Sequence, residues 1–462
     1  MKITIIGTGY VGLVSAACLA DWGHEVVGVD KDAAKIAALR QGVLPIYEPG
    51  LDTLIAQTVR QGRLSFTTDA APAIAAADVV MIAVGTPPRL RDGEADLAFV
   101  YAAAKEVAAA ISGFTVVVVK STVPIGTGDD IERIIGRVRP DVGFAVASNP
   151  EFLRQGSAVA DFQQPDRVVI GADDKLAARV LQAMYEPLRL QGVPVVTTKR
   201  RTAELIKYAA NAFLAVKISY INEMADLCES VGADVRDVAL GMGLDRRIGP
   251  SCLNAGPGYG GSCFPKDTLA LLRTSQDHGI ALRIIQESIV ANDSRKRRMA
   301  LKVIDALGGN AEGRRVAILG LTFKPETDDM REAPSIPLIE ALQRVGARIR
   351  AHDPQGMANA RALLDDVEFF DDPYECAAGA DGLVLMTDWK ALKALDLGRL
   401  SRVVRNRVLV DFRHAFDRVE AEKHGFVLSA IGVPQDRNTD MVMDPASAIR
   451  RGRRHSPVME KR

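Results

Sequence analysis

The segment at residues 256–267, GPGYGGSCFPKD, combines reactive side chains with a backbone unsuited to the interior of a helix. Its four glycines and two prolines disfavour helix, so we expect a loop. Lys266 and Asp267 follow Cys263 within about one helical turn. A thiol attacks carbon as its thiolate, which neighbouring cations stabilise. These residue types suit covalent catalysis, although a lone Cys263 also fits a small buried residue in a structural loop.

A long helix is predicted between Thr202 and Val231, where Gly232 provides a natural end. At ~1.5 Å per residue it would extend roughly 45 Å, enough to join two domains and to form a dimer surface. Lys207 and Asn211 are four residues apart and share one face, which is either part of a site or an ordinary exposed polar face. A separate apolar stripe is formed by Leu205, Ala209, Phe213 and Val216.

The N-terminal region contains a βαβ pattern with the glycine spacing of a dinucleotide site. The strand KITIIG leads into GTGYVG, a helix then extends to Trp22, and a second strand ends at Asp30. The glycines allow a pyrophosphate to approach the N-terminus of the helix, and the acid accepts from ribose hydroxyls. Because Asp30 would repel a 2′-phosphate, we expect NAD rather than NADP. Lys35 also fits a surface lysine of the next helix.

Three polar residues follow further predicted strands of this region. The strand patterns DVVMIAVGTP, TVVVVKSTVP and GFAVASNPEF alternate with helices, which indicates parallel crossovers. Thr86, Thr122 and Glu151 lie at or just past the carboxyl ends of these strands, where open α/β sheets bind ligands. Taken singly, each threonine also fits a helix cap or turn, and Glu151 fits an acid in the first turn of a helix.

The last third repeats the strand–helix–strand layout without the glycine fingerprint. RRVAILGLTFKP predicts a strand, a helix follows near Ser335, and ARIRAHDP predicts the next strand. The longer loop GLTFKPETDDMREAPS contains Lys324 and Arg331, which suit a phosphate ligand or are solvated loop charges. A strand pattern then ends at Arg413. This second Rossmann-like domain is expected to bind something other than NAD.

Composition excludes several classes of function. Lys plus Arg equals Asp plus Glu at 58 each, which argues against a general nucleic-acid-binding protein. The longest apolar runs fall short of the roughly 18 residues of a membrane span. Five cysteines with neither metal-ligand nor redox spacing favour a reducing, cytoplasmic setting and give no metal site. Only the end of the chain is locally basic, as expected of a solvated tail.

Taken in order, these motifs resemble the UDP-glucose/GDP-mannose dehydrogenase family of nucleotide-sugar dehydrogenases. The resemblance extends from residue 1 to about residue 440 and rests on GTGYVG, VGTP, STVPIGTG, NPEFLRQG, KYAANAFLAVKISYINE, GPGYGGSCFPKD, GLTFKPETDDMREAPS and DFR. It implies an α/β fold of two Rossmann-like, doubly wound domains joined by a long central helix and a small helical region. The implied boundaries are 1–198 for the NAD-binding domain, 199–305 for the central dimerisation domain with the catalytic loop, 306–440 for the C-terminal UDP-sugar-binding domain and 441–462 for the basic tail.

The resemblance also implies an activity, the oxidation of UDP-glucose to UDP-glucuronate by a homodimer. The reaction removes four electrons with two NAD, through a thiohemiacetal and a thioester on Cys263. GDP-mannose or a UDP-N-acetylhexosamine is the alternative substrate within the family. A two-electron hydroxyacid dehydrogenase is more distant, since it would need neither the cysteine nor the second α/β domain. A non-catalytic nucleotide sensor is disfavoured by the intact Cys263, Lys207 and Asp267.

Three sets of residues follow from the same resemblance. The catalytic set is Cys263, Lys207, Asp267, Asn211, Thr122 and Glu151. The NAD-binding set is Gly7, Gly9, Tyr10, Val11, Gly12, Asp30, Lys35, Thr86, Thr122, Lys266 and Arg331. The substrate-binding set is Glu151, Phe152, Leu153, Arg154, Lys207, Asn211, Arg247, Cys252, Leu253, Asn254, Ala255, Gly256, Gly260, Phe264, Lys324 and Arg413, with Arg247 supplied by the neighbouring subunit.

The chain departs from the family pattern at two positions. Gln155 occupies a position where glutamate is usual, so an acid role is lost there. Cys252 occupies a position where an aromatic residue is usual, so stacking on the base of the nucleotide is expected to be weaker.

Overall fold

The computed structural model describes residues 1–87, 89 and 95–434 of the chain. In this part, two predominantly parallel sheets are separated in sequence by a group of helices. This arrangement confirms the predicted α/β class with two Rossmann-like domains and a long central helix. The basic tail at residues 441–462, and the last six residues of the predicted C-terminal domain, lie outside the described residues.

The first sheet has the strand order β3-β2-β1-β4-β5-β6-β7-β8, and its pairs are parallel except for β6 with β7. Its central strands are rich in β-branched residues and buried throughout, as expected for a sheet covered on both faces. The strands are β1 (Lys2–Ile6), β2 (Glu25–Val29), β3 (Leu64–Thr67), β4 (Val79–Ile82), β5 (Thr115–Val119), β6 (Phe144–Ser148), β7 (Val168–Ala172) and β8 (Val195–Thr198). The helices are α1 (Tyr10–Asp21), α2 (Ala33–Arg40), α3 (Leu51–Arg60), α4 (Ala70–Ala75), α5 (Ala98–Ala110), α6 (Thr127–Val138), α7 (Ala158–Gln163), α8 (Lys175–Met184) and α9 (Glu186–Leu190).

Four helices follow the first sheet: α10 (Arg200–Val231), α11 (Val235–Gly243), α12 (Phe264–Asp277) and α13 (Arg283–Ala306). The long helix α10 begins two residues before the predicted start and ends at Gly232, as predicted. It buries its polar face, because α12 packs against it, so Lys207 and Asn211 are only 3% and 6% exposed. The alternative of an exposed polar face is therefore wrong. Part of the apolar stripe faces outward instead, with Phe213 64% exposed.

The second sheet has the order β11-β10-β9-β12-β13-β14 with parallel pairing throughout. Its strands are β9 (Arg315–Leu319), β10 (Arg348–His352), β11 (Val367–Phe369), β12 (Gly382–Leu385), β13 (Val408–Asp411) and β14 (Val427–Ala430). Its helices are α14 (Ser335–Arg344), α15 (Met357–Arg361), α16 (Pro373–Ala377), α17 (Lys390–Lys393), α18 (Leu397–Val403) and α19 (Arg418–Lys423). The strand predicted to end at Arg413 ends at Asp411. Within the described ranges, none of the helices has the length and apolar character needed to cross a membrane.

Candidate active site

Cys263 lies at the N-cap of α12, two residues after the buried segment 255–261. Its carbonyl oxygen accepts a hydrogen bond from the backbone N–H of Asp267 at 2.8 Å, which closes the first turn of the helix. The sequence FPKD, predicted as part of the loop, therefore forms the first turn of α12. Pro265 is tolerated there because the first turn needs no donor from its nitrogen. Only the glycine-rich half of the segment is a loop.

The carboxylate of Asp267 is buried at the same end of α12 and has two polar partners. The amide nitrogen Nδ2 of Asn211 donates to its Oδ2 at 2.6 Å. The ammonium of Lys266 donates to its Oδ1 at 2.7 Å. With 1% of Asp267 exposed, the carboxylate depends on these donors, since a buried charge must be paired. The structure thus brings three of the predicted site residues into direct contact.

Lys207 and Glu151 form a second buried pair, with Nζ and Oε1 3.1 Å apart. Burial lowers the pKa of Lys207, but Glu151, Cys263 and Asp267 together outweigh burial and raise it overall. The ammonium also lies 5.3 Å from the centroid of the Phe152 ring. Glu151 does not begin a helix, contrary to one predicted interpretation, because its side chain accepts from the backbone N–H of Leu153 in a turn. The site therefore contains a fixed, protonated lysine.

The Cys263 thiol is not ionised in advance. Burial raises its pKa most, Glu151 and Asp267 raise it further, and Lys207 acts in the opposite direction. Of the two cations predicted to favour the thiolate, Lys207 acts as expected and lowers the pKa of Cys263, whereas Lys266 is paired with Asp267. Burial outweighs Lys207, so the pKa is raised overall in the free protein. The thiol needs a proton acceptor when it reacts.

The loop after β9 approaches the site from the second sheet. Lys324 is half-buried in this loop, and burial and Arg154 lower its pKa while Glu48, Asp161 and Cys263 act in the opposite direction. In the same loop, the guanidinium of Arg331 is held by Asp329, with Nη2 and Oδ2 2.6 Å apart. The carbonyl oxygen of Arg331 accepts from the N–H of Gly261 at 2.9 Å. Arg331 thus contacts the cysteine loop through its backbone, and the charges of Lys324 and Arg331 both interact with Cys263.

The guanidinium of Arg413 connects the second sheet to the start of the glycine-rich loop. Its Nε donates to the carbonyl of Met386 at 2.8 Å and its Nη2 donates to the carbonyl of Phe323 at 3.1 Å. A Cβ added to Gly256 would lie 3.0 Å from Nη1 of Arg413, so the guanidinium lies directly against that glycine. Gly260 is packed as closely, since a Cβ there would lie 2.2 Å from the carbonyl oxygen of Glu332.

Gln155 has a structural explanation. Its Nε2 donates to Oδ2 of Asp329 at 3.0 Å, and its Oε1 accepts from the hydroxyl of Thr327 at 3.0 Å. A glutamate could not donate and would repel Asp329. The amide at this position therefore supports the carboxylate that holds Arg331.

Cys252 has left-handed backbone with φ of 62°, and burial raises the pKa of its thiol while Lys217 and Arg154 act in the opposite direction.

The dinucleotide turn connects β1 to α1 and fits a bound pyrophosphate. A Cβ on Gly7 would lie 2.6 Å from the carbonyl oxygen of Ala83, and one on Gly12 would lie 1.9 Å from that of Gly7. Gly9 instead faces open space, with no atom within 4 Å of such a Cβ. At the end of β2, Asp30 accepts from Lys35 at 2.8 Å.

The pKa of Asp30 has two opposing influences. Burial raises it, but hydrogen bonds from Lys35, Asp32 and Thr8 outweigh burial and lower it to about 2. The carboxylate therefore stays charged at neutral pH and can both accept from ribose and repel phosphate.

We expect Asp30→Ala to relax a preference for NAD over NADP by about 10- to 100-fold, equivalent to roughly 1.4–2.8 kcal/mol. The change removes the charge that would repel a 2′-phosphate, while Lys35 remains as a cation. Steady-state kcat/KM with each cofactor measures the effect. The matched control is Asp32→Ala, because Asp32 caps α2 two residues away and should not alter the preference. Equal use of both cofactors by the unaltered protein would contradict the prediction.

The remaining predicted residues differ in their contacts and in their exposure. The hydroxyl of Thr86 donates to the carbonyl of Thr122 at 3.0 Å, so the loops after β4 and β5 meet as predicted. Tyr10 donates to Glu48, which also accepts from the N–H groups of Gly156 and Ala158. The positions of the others differ in exposure: Arg154 pairs with Asp161, Val11 and Phe264 are half-buried, Leu253 and Ala255 are buried, and Asn254 is exposed.

Arg247 is not brought to the site within one chain. Its side chain is 89% exposed and pairs with Asp245 through Nη2 and Oδ2 at 2.6 Å. Its predicted role in a neighbouring subunit stays a prediction.

Sequence reasoning missed two buried ionisable residues beside this centre. Lys120 directly follows the buried strand β5 and donates to Oδ1 of Asn149 at 2.9 Å. Burial lowers the pKa of Lys120 to about 8. Glu151 acts against this shift, and Lys207 adds to it. Glu204 accepts from the N–H groups of Gly126 and Gly128, at the N-terminus of α6, and burial raises its pKa to about 7. The available signals were a lysine directly after four consecutive valines and an acid on the same helix face as Lys207.

Comparison with known proteins gives one family along the chain. The models of the UDP-glucose/GDP-mannose dehydrogenase family match residues 1–189 as the NAD binding domain, 201–294 as the central domain and 317–418 as the UDP binding domain. The UDP-glucose 6-dehydrogenase of Rhizobium meliloti (strain 1021) is 58% identical over 94% of this chain and 100% of its own length.

Comparison with solved structures also finds nucleotide-sugar dehydrogenases. A UDP-glucose dehydrogenase from the hyperthermophilic archaeon Pyrobaculum islandicum is 41% identical, with a TM-score of 0.86 over 93% of this chain and 97% of that one. A UDP-D-ManNAc dehydrogenase from Pyrococcus horikoshii is 26% identical, with a TM-score of 0.82 over 94% of this chain and 99% of that one.

Proposed function

The chain belongs to the UDP-glucose/GDP-mannose dehydrogenase family of NAD-dependent enzymes, and from this membership we propose that it oxidises UDP-glucose to UDP-glucuronate. The observation that carries the proposal is the buried cluster of Cys263, Lys207, Asn211, Asp267 and Glu151 at the N-terminus of α12. This cluster contains a nucleophile, a fixed cation and carboxylate bases within one water-poor site, which is what conversion of an alcohol to an acid requires.

The first oxidation converts the C6 alcohol to an aldehyde, with loss of a hydride and a proton. NAD, held along the glycine turn by Asp30 and the residues predicted with it, supplies the hydride acceptor for each oxidation. The carboxylate of Asp267 takes the proton of the alcohol, because Lys207 is already protonated. The Lys207 ammonium and the Asn211 amide stabilise the negative charge that develops on the oxygen. Cys263 has no role in this step.

The second oxidation proceeds through a covalent bond to Cys263. The sulfur adds to the aldehyde carbon, the thiol proton passes to a carboxylate of the site, and the oxyanion is protonated to give a thiohemiacetal. Loss of a hydride and a proton from this intermediate gives a thioester. Water then adds to the thioester carbon, the C–S bond breaks and the thiolate leaves, which releases the carboxylate. Thr122 and Glu151 are proposed to position that water.

The C-terminal domain is proposed to hold the nucleotide half of the substrate. Lys324 lies in the loop after β9 and has a pKa lowered chiefly by burial. A phosphate bound there would stabilise the half-buried ammonium, which burial disfavours. Arg413 lies against Gly256 between the two regions, as suits a residue close to the sugar or nucleotide.

The choice of UDP-glucose is supported by the relatives. The enzyme at 58% identity and the structure at 41% identity are described as acting on UDP-glucose, whereas the structure of a UDP-D-ManNAc dehydrogenase is 26% identical. GDP-mannose or a UDP-N-acetylhexosamine remains the second candidate because the family models include both nucleotide types. The match of residues 317–418 to a UDP binding domain favours a uridine nucleotide.

The proposal is tested by incubating the purified protein with NAD and matched amounts of UDP-glucose, GDP-mannose, UDP-N-acetylglucosamine and UDP-N-acetylmannosamine. We expect kcat/KM to be highest for UDP-glucose, with two NADH formed for each UDP-glucuronate and no free aldehyde. A higher kcat/KM with another sugar would reject the substrate. One NADH per product, with the aldehyde released, would reject the four-electron reaction.

A homodimer through α10 is proposed from the outward face of that helix. Phe213, Tyr220 and Leu227 recur every seven residues and are 64%, 44% and 51% exposed, a spacing that suits pairing of two helices. Arg247, in the exposed loop after α11, would then be available to the site of the partner. Measurement of the particle mass by light scattering tests the dimer.

The free thiols of all five cysteines suit the proposed cytoplasmic setting.

A further inference from the structure

One face of α13 holds the glycine-rich loop through an asparagine. The side chain of Asn292 is buried, with 3% exposed, and makes two hydrogen bonds to the backbone of Tyr259. Its Oδ1 accepts from the N–H of Tyr259 at 2.8 Å, and its Nδ2 donates to the carbonyl of Tyr259 at 3.1 Å. The amide thereby satisfies both backbone groups of one loop residue, as a neighbouring strand would.

A second pair of buried side chains holds the start of the loop. The N–H of Gly256 donates to Oδ1 of Asn222, on α10, at 2.8 Å. The carbonyl of Gly256 accepts from Nε of Arg295, on α13, at 2.6 Å. Arg295 also donates through Nη1 to the carbonyl of Asn222 at 2.8 Å and to Asp226 at 2.9 Å. Asn222 and Arg295 are each only 2% exposed.

The loop fits closely against these side chains. Gly258 has a φ of 118°, and a Cβ there would lie 3.0 Å from Oδ1 of Asn292 and 3.1 Å from Cγ of Lys296. The ammonium of Lys296 pairs with Glu332 at 3.2 Å, on the segment that contacts the opposite side of the loop. A glycine-rich loop has large conformational freedom, so a fixed shape requires bonds from outside it.

We propose that Asn292, Arg295 and Asn222 are positioning residues for the reaction, which set the place of Cys263 by fixing the backbone of the loop that leads to it. This inference rests on the proposed function, in which the sulfur of Cys263 is the nucleophile. Cys263 follows Tyr259 by four residues and begins α12, so a shift of the loop moves the sulfur relative to Lys207 and Asp267. The bonds from Asn292, Asn222 and Nε of Arg295 to the loop are all made to its backbone, so the proposed role acts through the loop.

The test is Asn292→Ala, with two readouts. Loss of both bonds should lower kcat for full oxidation by about 10- to 100-fold, because the sulfur is displaced from its reacting position. The freed loop should also expose the thiol, so alkylation of Cys263 by iodoacetamide, followed by peptide mass spectrometry, should accelerate about fivefold or more. The alkylation readout needs no turnover, so it decides this inference even if the proposed reaction is wrong.

The control is Met299→Ala on the same helix, because Met299 is buried in the core with 1% exposed. It should lower the melting temperature while leaving the alkylation rate unchanged. Gly258→Ala strains the same contact from the loop side and should reproduce both effects of Asn292→Ala, which keeps the test decisive if the latter fails to fold. The inference would be overturned if the alkylation rate and kcat were unchanged in folded Asn292→Ala or in Gly258→Ala. It would also be overturned if these changes were no larger than those in Met299→Ala.

Discussion

Replacement of Cys263 by alanine is expected to lower steady-state formation of two NADH per sugar by at least about a thousandfold. The variant lacks the sulfur that would bind the aldehyde carbon, so the second hydride donor cannot form by the proposed route. The first oxidation needs only the alcohol, the cofactor, Asp267 as the base and Lys207 as the cation. With enzyme in excess over UDP-glucose, we therefore expect about one NADH per substrate.

Cys263→Ser separates the size of the side chain from its chemistry. Serine is a poorer nucleophile and a poorer leaving group than a thiolate at neutral pH, so the second oxidation should remain slow. Any ester trapped on Ser at this position would appear as added mass equal to the nucleotide sugar acid less water. A hydrated aldehyde could lose the second hydride without the sulfur, which sets the residual rate.

The matched control is Cys228→Ala, because Cys228 is a buried thiol of α10 in the apolar core. It should retain turnover and lose only some stability. Near-normal formation of two NADH by Cys263→Ala would reject the covalent route and leave the glycine-rich loop a structural role.

The pH dependence of the thiol follows from its surroundings. Because burial, together with Glu151 and Asp267, raises the pKa of Cys263 above its ordinary value of 9.0, the thiol is protonated throughout the neutral range. Below the pKa the thiolate fraction grows with pH. Alkylation of Cys263 in the free protein should therefore accelerate about tenfold per pH unit from pH 7 to 9, without a plateau. A plateau below pH 8 would show a lowered pKa and contradict the structure.

The sequence predicted those parts of the fold that local patterns determine. The βαβ unit was predicted from glycine spacing and an alternating helix and strand, and α10 from its period and from Gly232. These signals lie within short stretches of chain. The convergence of Thr86 and Thr122 also followed, since parallel strands end on one edge of a sheet.

Other parts depend on segments that are remote in sequence. Lys207 and Asn211 share a face with no local sign of burial, and only packing of α12 against α10 buries them. Asn292 reaches Tyr259 across 33 residues and belongs to no recognisable motif. The raised pKa of Cys263 arises from burial, which spacing cannot predict. Arg247 lies outside the site of its own chain, so one chain cannot test its role.

Replacing Lys207 by methionine is expected to reduce full turnover by about a thousandfold. Methionine has a similar length but removes the ammonium proposed to stabilise the oxyanion in both oxidations. Loss of the same cation removes the charge that lowers the pKa of Cys263, so that pKa should rise further. Alkylation at pH 8 should then be slower than in the unaltered protein, whereas Asn292→Ala should make it faster. The two variants are therefore distinguished by the direction of one measurement.

The stability of the variant tests the buried ion pair separately. Lys207→Met leaves the Glu151 carboxylate buried without its partner, which should cost about 3–5 kcal/mol in the free energy of unfolding. Adding Glu151→Gln removes the unpaired charge and should recover most of that stability, while turnover stays low because the cation and the Glu151 carboxylate are both missing. Lys302→Met is the control, since Lys302 pairs with Glu229 at a partly exposed position and should change neither property much. Recovery of turnover in the double variant would show that Lys207 only neutralises Glu151, and the ammonium would then have no part in stabilising the oxyanion.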